Sequence, residues 1–275
     1  MIRYIKNFVL IVASVLLSLC LFFLVVCMVS GMLLTSPGFY KGVAQRAPGY
    51  IQEVYEKTQK DIIFKGTLSG LDKSVFENLL TYDITEALIN ERIDNVMTGA
   101  DMPSLKVLTD AMRKKAEENF PQVEQQALDD FADFMDNVIA EDTEISFFPD
   151  IYPQLDAFFS SASLYLVMIL SVAIVGLFFA VWFTAGGNVQ NRLRWMLFSV
   201  SAAGLMCIFL SVLLFLLNDA AVFNFSTQDL RIYLSEMKIC FASVFAVAGI
   251  VLVLLVVIYF IAVAVYKKLK RKRPL

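Results

Sequence analysis

Three aspartates, Asp129, Asp133 and Asp136, come closest to a chemical site by residue type and spacing. Side chains three or four residues apart share one face of a helix. Carboxylates arranged in this way can share a hard cation such as Ca²⁺. The alternating Asp-x-Asp pattern and the glycine of a calcium-binding loop are missing, however. We therefore expect a solvated acidic face that is available to a partner, and no metal site.

Catalytic chemistry has little to work with in this chain. The 275 residues include no histidine, which removes the usual general base, the commonest metal ligand and the Ser-His and Cys-His nucleophile pairs. No phosphate-binding glycine loop or dinucleotide fingerprint occurs. A Ser-Lys or carboxylate-only site is the chemistry that remains. We expect no catalytic, metal-binding or cofactor-binding residues, and hence a non-enzymatic protein.

An aromatic stretch with two prolines precedes the second apolar run of the sequence. It contains Phe147, Phe148 and Tyr152. Such residues are typical of the belt that lies at the headgroups of a bilayer. They are also typical of a docking surface for a partner or a lipid. The sequence leaves both interpretations open.

Four long apolar runs, 8–34, 164–185, 195–217 and 239–266, lack any Asp, Glu, Lys or Arg. About 20 apolar residues cross the hydrocarbon core of a bilayer as a helix, so each run predicts a membrane span. The first run is longer than the apolar part of a signal peptide, and we interpret it as an uncleaved anchor.

The fold class is an all-α membrane protein with four transmembrane helices and a helical-bundle extracytoplasmic domain between the first two. The predicted segments are a cytoplasmic N-terminus (1–6), span one (7–34), the outer domain (35–160), span two (161–185), a cytoplasmic turn (186–194), span three (195–217), a short outer loop (218–238), span four (239–266) and a basic cytoplasmic tail (267–275).

Charge predicts the orientation. Ten basic residues and no acidic residue flank the runs at the N-terminus, in the 186–194 turn and after the fourth run. The positive-inside rule places these segments in the cytoplasm. The segment 35–160 carries 11 basic and 23 acidic residues and no cysteine. Because animal cell-surface domains of this size often carry disulfides, the sequence favours the plasma membrane of a bacterium.

Small residues recur at four-residue spacing within the spans. They allow helix backbones to approach closely in a membrane. We expect them to pack spans two to four into a bundle, with oligomerisation as the alternative use. The spans contain no ionisable residue and no proline, which argues against a pump, channel or secondary transporter. The packing residues are Ser199, Ala203, Cys207 and Ser211 in span three and Gly176 and Ala180 in span two.

Helical periodicity dominates the segment between spans one and two. Lys65 to Gly70 predicts a chain break, and Asp83 to Glu86 resembles a capping box. Pro103 begins a helix with Leu105, Leu108 and Met112 facing inward. Pro121 begins or kinks a further helix. The predicted inner side of that helix is Val123, Ala127, Phe131, Phe134 and Val138.

The chain ends in a cluster of basic residues that can contact anionic lipid headgroups. Its topological role would also explain it. The cluster comprises Lys267, Lys268, Lys270, Arg271, Lys272 and Arg273.

The layout resembles that of two membrane-protein families. Cell-division-type permeases of ABC transporters also carry a large outer domain between spans one and two, but their charged cytoplasmic segment before span three is here only 186–194. Intramolecular lipoprotein transacylases are similar in layout, and the loop from Asn218 to Asn224 resembles theirs. Their activity is associated with histidine, which this chain lacks. The resemblance therefore places no residue in a catalytic role, and the sequence assigns the chain to neither family.

Our leading interpretation is a non-enzymatic envelope protein whose outer domain binds a partner or ligand in sensing, as a scaffold or as an adaptor. The alternatives are a membrane subunit of a larger complex, such as an ABC-type assembly, and an exterior-facing membrane enzyme without histidine. We expect the lipid bilayer and a protein partner or a second copy of the chain as partners, and no nucleic acid.

Overall fold

A computed structural model describes residues 2–122, 124–145, 148–159, 163–187, 189–217 and 227–271. Every regular element in these ranges is a helix. Four of the helices are long and apolar enough to cross a membrane, namely Tyr4–Leu34, Leu164–Ala185, Val189–Leu216 and Gln228–Lys268. The prediction of an all-helical chain with four candidate spans is therefore confirmed.

Ten α-helices and one short 3₁₀ helix make up the described part of the chain. Their bounds are α1 Ile2–Leu34, α2 Pro37–Arg46, α3 Pro48–Leu68, the 3₁₀ helix Lys73–Val75, α4 Tyr82–Thr98, α5 Pro103–Asn119, α6 Gln125–Asp142, α7 Phe148–Ala157, α8 Ser163–Ala185, α9 Val189–Leu216 and α10 Gln228–Arg271.

The helices form two compact units. The span unit comprises Met1–Thr35, Ala157–Leu217 and Lys238–Leu275, and the polar unit comprises Ser36–Asp156 and Asn218–Met237. All 26 acidic residues fall in the polar unit, together with 12 basic ones. The span unit carries 11 basic residues and no Asp or Glu.

The span unit is built around α1, which packs against both α8 and α9. Its core contains Leu10 and Leu17 of α1 with Val181 of α8 and Met196 of α9. The connection between α8 and α9 contains Gly186 and Gly187 with φ angles of 56° and 65°. Glycine adopts this left-handed conformation without steric cost, and α9 begins at Val189, inside the segment 186–194 that was predicted as a turn.

The polar unit has its own apolar core, to which α3, α4, α5 and α6 all contribute. Its centre includes Ile62, Leu88, Met112 and Ile139, each at most 1% exposed. The inward direction predicted for the helix that begins at Pro103 is confirmed, because its predicted inner side chains are all buried. These are Leu105, Leu108 and Met112.

Residues 228–238, which belong to the predicted outer loop 218–238, are helical, and residues 218–226 lie outside the described residues. The last span begins as a helix at Gln228, and residues up to Met237 belong to the polar unit. Tyr233 is fully buried there. Its ring lies 5.1 Å from that of Tyr50, and its hydroxyl donates a hydrogen bond to the backbone oxygen of Tyr40 at 3.2 Å. Aromatic packing therefore joins this segment to the polar unit. The contact links residues far apart in the sequence, so local sequence patterns do not predict it.

Two local predictions between α3 and α6, the chain break and the capping box, differ from the structure. Helix α3 continues through the expected break to Leu68, and Gly66 lies where any Cβ would overlap the ring of Phe76. The cap of α4 is Thr81, whose hydroxyl accepts the N–H of Ile84 at 3.3 Å. The glycine therefore serves close packing, and the N-cap of α4 lies two residues before Asp83, where the predicted capping box begins.

Candidate functional site

An apolar groove lies on the polar unit, where α4 and α5 meet the turn after the 3₁₀ helix. Its volume is about 410 Å³. Val107 stands at its edge with 69% of its surface exposed. Asn78 lines one end with φ 61°, a left-handed conformation that asparagine adopts more readily than most residues. The other lining residues are Leu79, Ile84, Pro103, Ser104, Leu108 and Ala111.

Glu91 of α4 fixes the wall that α5 contributes to this groove. Its carboxylate accepts hydrogen bonds from the backbone N–H of Ser104 at 3.0 Å and from the Ser104 hydroxyl at 2.7 Å. The first turn of a helix has N–H groups without intrahelical partners, and Pro103 at the first position has no N–H to satisfy. The side chain of Glu91 thus caps α5 from a neighbouring helix and holds Ser104 in place.

The acidic face predicted on α6 is divided in the structure. Asp129 forms an ion pair with Arg113 of α5. Asp133 is exposed, whereas Asp136 is half-buried. Burial raises the pKa of the Asp136 carboxyl, and a hydrogen bond with Thr109 opposes that shift. No group of three or more carboxylates, histidines or cysteines within the described residues is arranged to hold a metal ion.

The aromatic stretch before the second span is likewise not one continuous surface. Phe148 is 3% exposed, and its ring lies 4.5 Å from the ring of Tyr40. Tyr152 is half-buried, 5.4 Å from Phe148 between ring centres. The structure therefore places Phe148 in the interior of the polar unit and not on its surface. Phe147 lies outside the described residues.

The small residues predicted to pack the spans fall into two groups. On α9, Ser199, Ala203, Cys207 and Ser211 are all buried. The hydroxyl of Ser199 donates to the backbone oxygen of Ser14 in α1 at 3.0 Å.

On α8, by contrast, Gly176 and Ala180 are exposed. A Cβ added at Gly176 would meet no atom within 4 Å. Among the described residues of one copy of the chain, this second stripe therefore lies on the surface, which differs from the expected packing. The reason is that α1 packs against other faces of α8, so the face with Gly176 stays outside the bundle.

A second concave site lies in the span unit, between the start of α9 and the end of α10. It has a volume of about 320 Å³ and is lined by Gln190, Arg194, Tyr259, Phe260, Val263, Ala264 and Lys267. Lys267 belongs to the predicted lipid-contacting cluster, and Lys268 beside it is exposed. For Lys270 and Arg271 the structure describes the backbone within α10. Lys272 and Arg273 lie outside the described residues.

Sequence reasoning missed most residues of both concave sites. The groove brings together Leu79 of a turn, Ile84 of α4 and Val107 of α5, and no spacing in the sequence connects them. Tyr259, Val263 and Lys267 do recur at four-residue spacing on one helix face. That stripe is the sequence signal for the cleft, but it does not stand out because the run around it is uniformly apolar.

Comparison with protein-family models, with characterised proteins and with solved structures finds no match to this chain.

Proposed function

We propose that the chain is a multi-pass protein of a bacterial plasma membrane whose polar unit lies outside the cell and acts as a non-enzymatic binding module. Its recognition surface is the groove between α4 and α5. The occupant is an apolar segment of a protein partner, flanked by basic residues. The groove itself is the observation that carries this proposal.

Two properties of the groove support a protein partner. Its lining is mainly aliphatic, with Asn78 and Ser104 as polar points. Binding sites combine apolar walls with a few placed polar groups in this way. Val107, at 69% exposure, leaves apolar surface in water that a partner would cover. Amphipathic helices commonly bind in grooves of this kind.

The charge of the polar unit supports the basic flanks of the partner. With 26 acidic and 12 basic residues, the unit has a net charge of −14. A field of one sign attracts partners of the opposite sign and raises their association rate. Binding should therefore weaken as salt rises, because the Debye length falls to about 8 Å at physiological ionic strength.

Photo-crosslinking in intact cells tests the groove. A photoreactive amino acid at Val107 should give a recurring protein adduct. The matched control is Phe64 of α3, which is 63% exposed on the same unit but does not line the groove. Val107→Glu should abolish the adduct obtained from a second probe at Pro103. Equal adducts from Val107 and Phe64, or none from either, would remove the groove as the recognition surface.

The orientation has a separate test. Single cysteines at Gln126 and Gln190, in a background without the four native cysteines, should react differently with a maleimide that cannot cross the membrane. Only Gln126 should be labelled from outside, since the basic ends of the spans are expected in the cytoplasm. Labelling of Gln190 in intact cells would reverse the orientation.

A membrane subunit of a larger assembly is the second candidate, and the exposed stripe of α8 favours it. Gly176 and Ala180 offer a surface on which another helix backbone could pack closely. A cysteine at Gly176 should then crosslink to another subunit, whereas one at the buried Ala203 should not. An exterior-facing enzyme finds no supporting observation among the described residues.

A further inference from the structure

We propose that the cleft between α9 and α10 is a binding site for an anionic phospholipid, in which Arg194 and Lys267 hold the phosphate and the wall around Tyr259 and Val263 holds acyl chain. This assignment is independent of the groove on the polar unit. It rests on the shape, the lining and the charge of the span unit.

The two cations of the cleft come from helix ends that meet in the fold. Arg194 lies in the second turn of α9, and Lys267 lies near the end of α10. Both line the same cleft with Gln190. A guanidinium can donate two parallel hydrogen bonds to a phosphate, and an ammonium adds a second charge. The amide of Gln190 supplies a neutral donor for a headgroup hydroxyl or phosphate.

These cations lack carboxylate partners within their own unit. The span unit contains 11 basic residues and no Asp or Glu. Two like charges that share a cleft repel each other unless a counter-charge lies between them. An anion placed in the cleft supplies that counter-charge, and the start of α9 adds the positive end of a helix dipole.

The walls of the cleft distinguish a lipid from a free anion. Tyr259 and Val263 precede Lys267 by eight and four residues on the same face of α10. At 1.5 Å per residue, the apolar wall extends about 12 Å from the cation along the helix. Phe260 and Ala264 complete it. A dissolved phosphate would leave this wall empty, whereas a phospholipid fills it with acyl chain while its headgroup reaches the cations.

Native mass spectrometry of the full-length protein tests the assignment. The protein is reconstituted in nanodiscs of equal parts phosphatidylglycerol and phosphatidylcholine, and retained lipids are identified after transfer to detergent. We expect phosphatidylglycerol to be retained in preference to phosphatidylcholine. Arg194→Gln and Lys267→Gln should each lower its apparent affinity about tenfold, the effect of one lost charge-assisted hydrogen bond.

Two further variants separate the cleft from general attraction to a basic surface. Lys268→Gln removes an equal charge next to the cleft and should leave retention unchanged, since Lys268 does not line it. Ala264→Phe keeps both cations but fills the wall, and it should also displace the lipid. Because Ala264 is exposed, this variant should fold normally. It therefore tests the lipid assignment even if a charge variant fails to fold.

Equal retention of the two phospholipids would overturn the proposal, as would equal losses in Lys267→Gln and Lys268→Gln. Unchanged retention in Ala264→Phe would overturn the acyl-chain part and with it the lipid assignment. Displacement of phosphatidylglycerol by inorganic phosphate alone would show that the cleft binds a free anion instead.

Discussion

Asp142 is the one charged side chain in the interior among the described residues, with 5% of its surface exposed. Its Oδ1 atom accepts from the Lys57 ammonium at 3.1 Å, while its Oδ2 atom is buried without a hydrogen-bond partner. Burial raises the pKa of this carboxyl, the Lys57 ammonium opposes the shift, and the nearby Asp61 carboxylate adds to it. Keeping the Asp142 carboxylate ionised in the interior of the polar unit therefore costs folding free energy.

The raised pKa has a defined effect on stability. A carboxyl whose pKa is higher in the folded state binds its proton more tightly there, so its contribution to stability is lost as the pH rises through that pKa. Asp142→Asn removes this loss. The free energy of unfolding of the variant relative to wild type should therefore increase as the pH rises from about 4, the ordinary pKa of an aspartate. Urea unfolding followed by circular dichroism at several pH values measures it.

The diagnostic quantity is the slope with pH of the difference in free energy of unfolding between the variant and wild type. Loss of the Lys57 ion pair also changes the size of this difference, so its value at a single pH is not diagnostic. Asp133→Asn, which removes an exposed carboxylate from α6, is the reference for a simple change of surface charge. A difference that stays flat or falls with rising pH would show that the Asp142 carboxylate is not destabilised by burial.

At the scale of helices, α9 and α10 approach through a pair of glycines. A Cβ added at Gly204 would lie 2.9 Å from the backbone oxygen of Gly249, and one added at Gly249 would lie 2.6 Å from that of Gly204. Real side chains do not come so close to a backbone. Close backbone approach at small residues is how helices associate in lipid, where apolar burial supplies no driving force.

Gly204→Ala should therefore force the two helices apart. Overpacking of this kind costs about 1–3 kcal/mol, which should appear as a lower unfolding temperature of the full chain in detergent. Gly176→Ala is the matched control, a helical glycine in a span with open space around its Cβ position. It should be neutral or slightly stabilising, because alanine favours helix more than glycine does. Equal destabilisation by both changes would show that the glycine pair is not a packing contact.

Elements differ in how much of them the sequence could predict. The four spans follow from the length and lack of charge of their runs, because a bilayer imposes both. The inner side of α5 was also predictable, but on α6 the expected inner residues Ala127 and Phe134 are exposed, and Leu128 and Met135 are buried instead. That helix starts at Gln125, and α3 and α5 both pack on it. Its inner face is set by these neighbours, and periodicity alone does not identify them.

The candidate sites show the same limit. The sequence predicts the contact of Lys267 with lipid, but it indicates only a topological role for Arg194 and only a membrane span for Tyr259. Their meeting depends on the pairing of α9 with α10. The groove depends in addition on the side chain of Glu91 reaching Ser104 across 13 residues of chain. Tertiary contacts of this kind leave no local pattern.

For the whole molecule, the main organising fact is the separation of charge between the units. Every carboxylate side chain belongs to the polar unit, and the span unit is purely basic. The polar unit is nevertheless not a single stretch of chain, because residues of Asn218–Met237 belong to it. The fully buried Tyr233 joins that segment to Tyr50.

Two soluble proteins test whether the segment that contains Tyr233 stabilises the polar unit. One contains residues 36–156 alone, and the other appends 228–237 through a flexible linker. The second should unfold at a higher temperature, since the first leaves Tyr40 and Tyr50 without their buried neighbour. Tyr233→Ala in the appended protein should remove the gain, as truncation of a large buried aromatic side chain costs roughly 3–5 kcal/mol. Identical unfolding temperatures for the three proteins would show that the segment adds no stability.

The position of Tyr233 also has a consequence for how the chain is made. Tyr40 and Tyr233 are separated by 193 residues. At roughly 5–20 residues per second of translation, the partner of Tyr40 leaves the ribosome roughly 10–40 s later. During that interval the nascent polar unit exposes the tyrosine surface that Tyr233 later covers. Completion of this unit therefore waits for the ribosome to reach the helix that begins at Gln228.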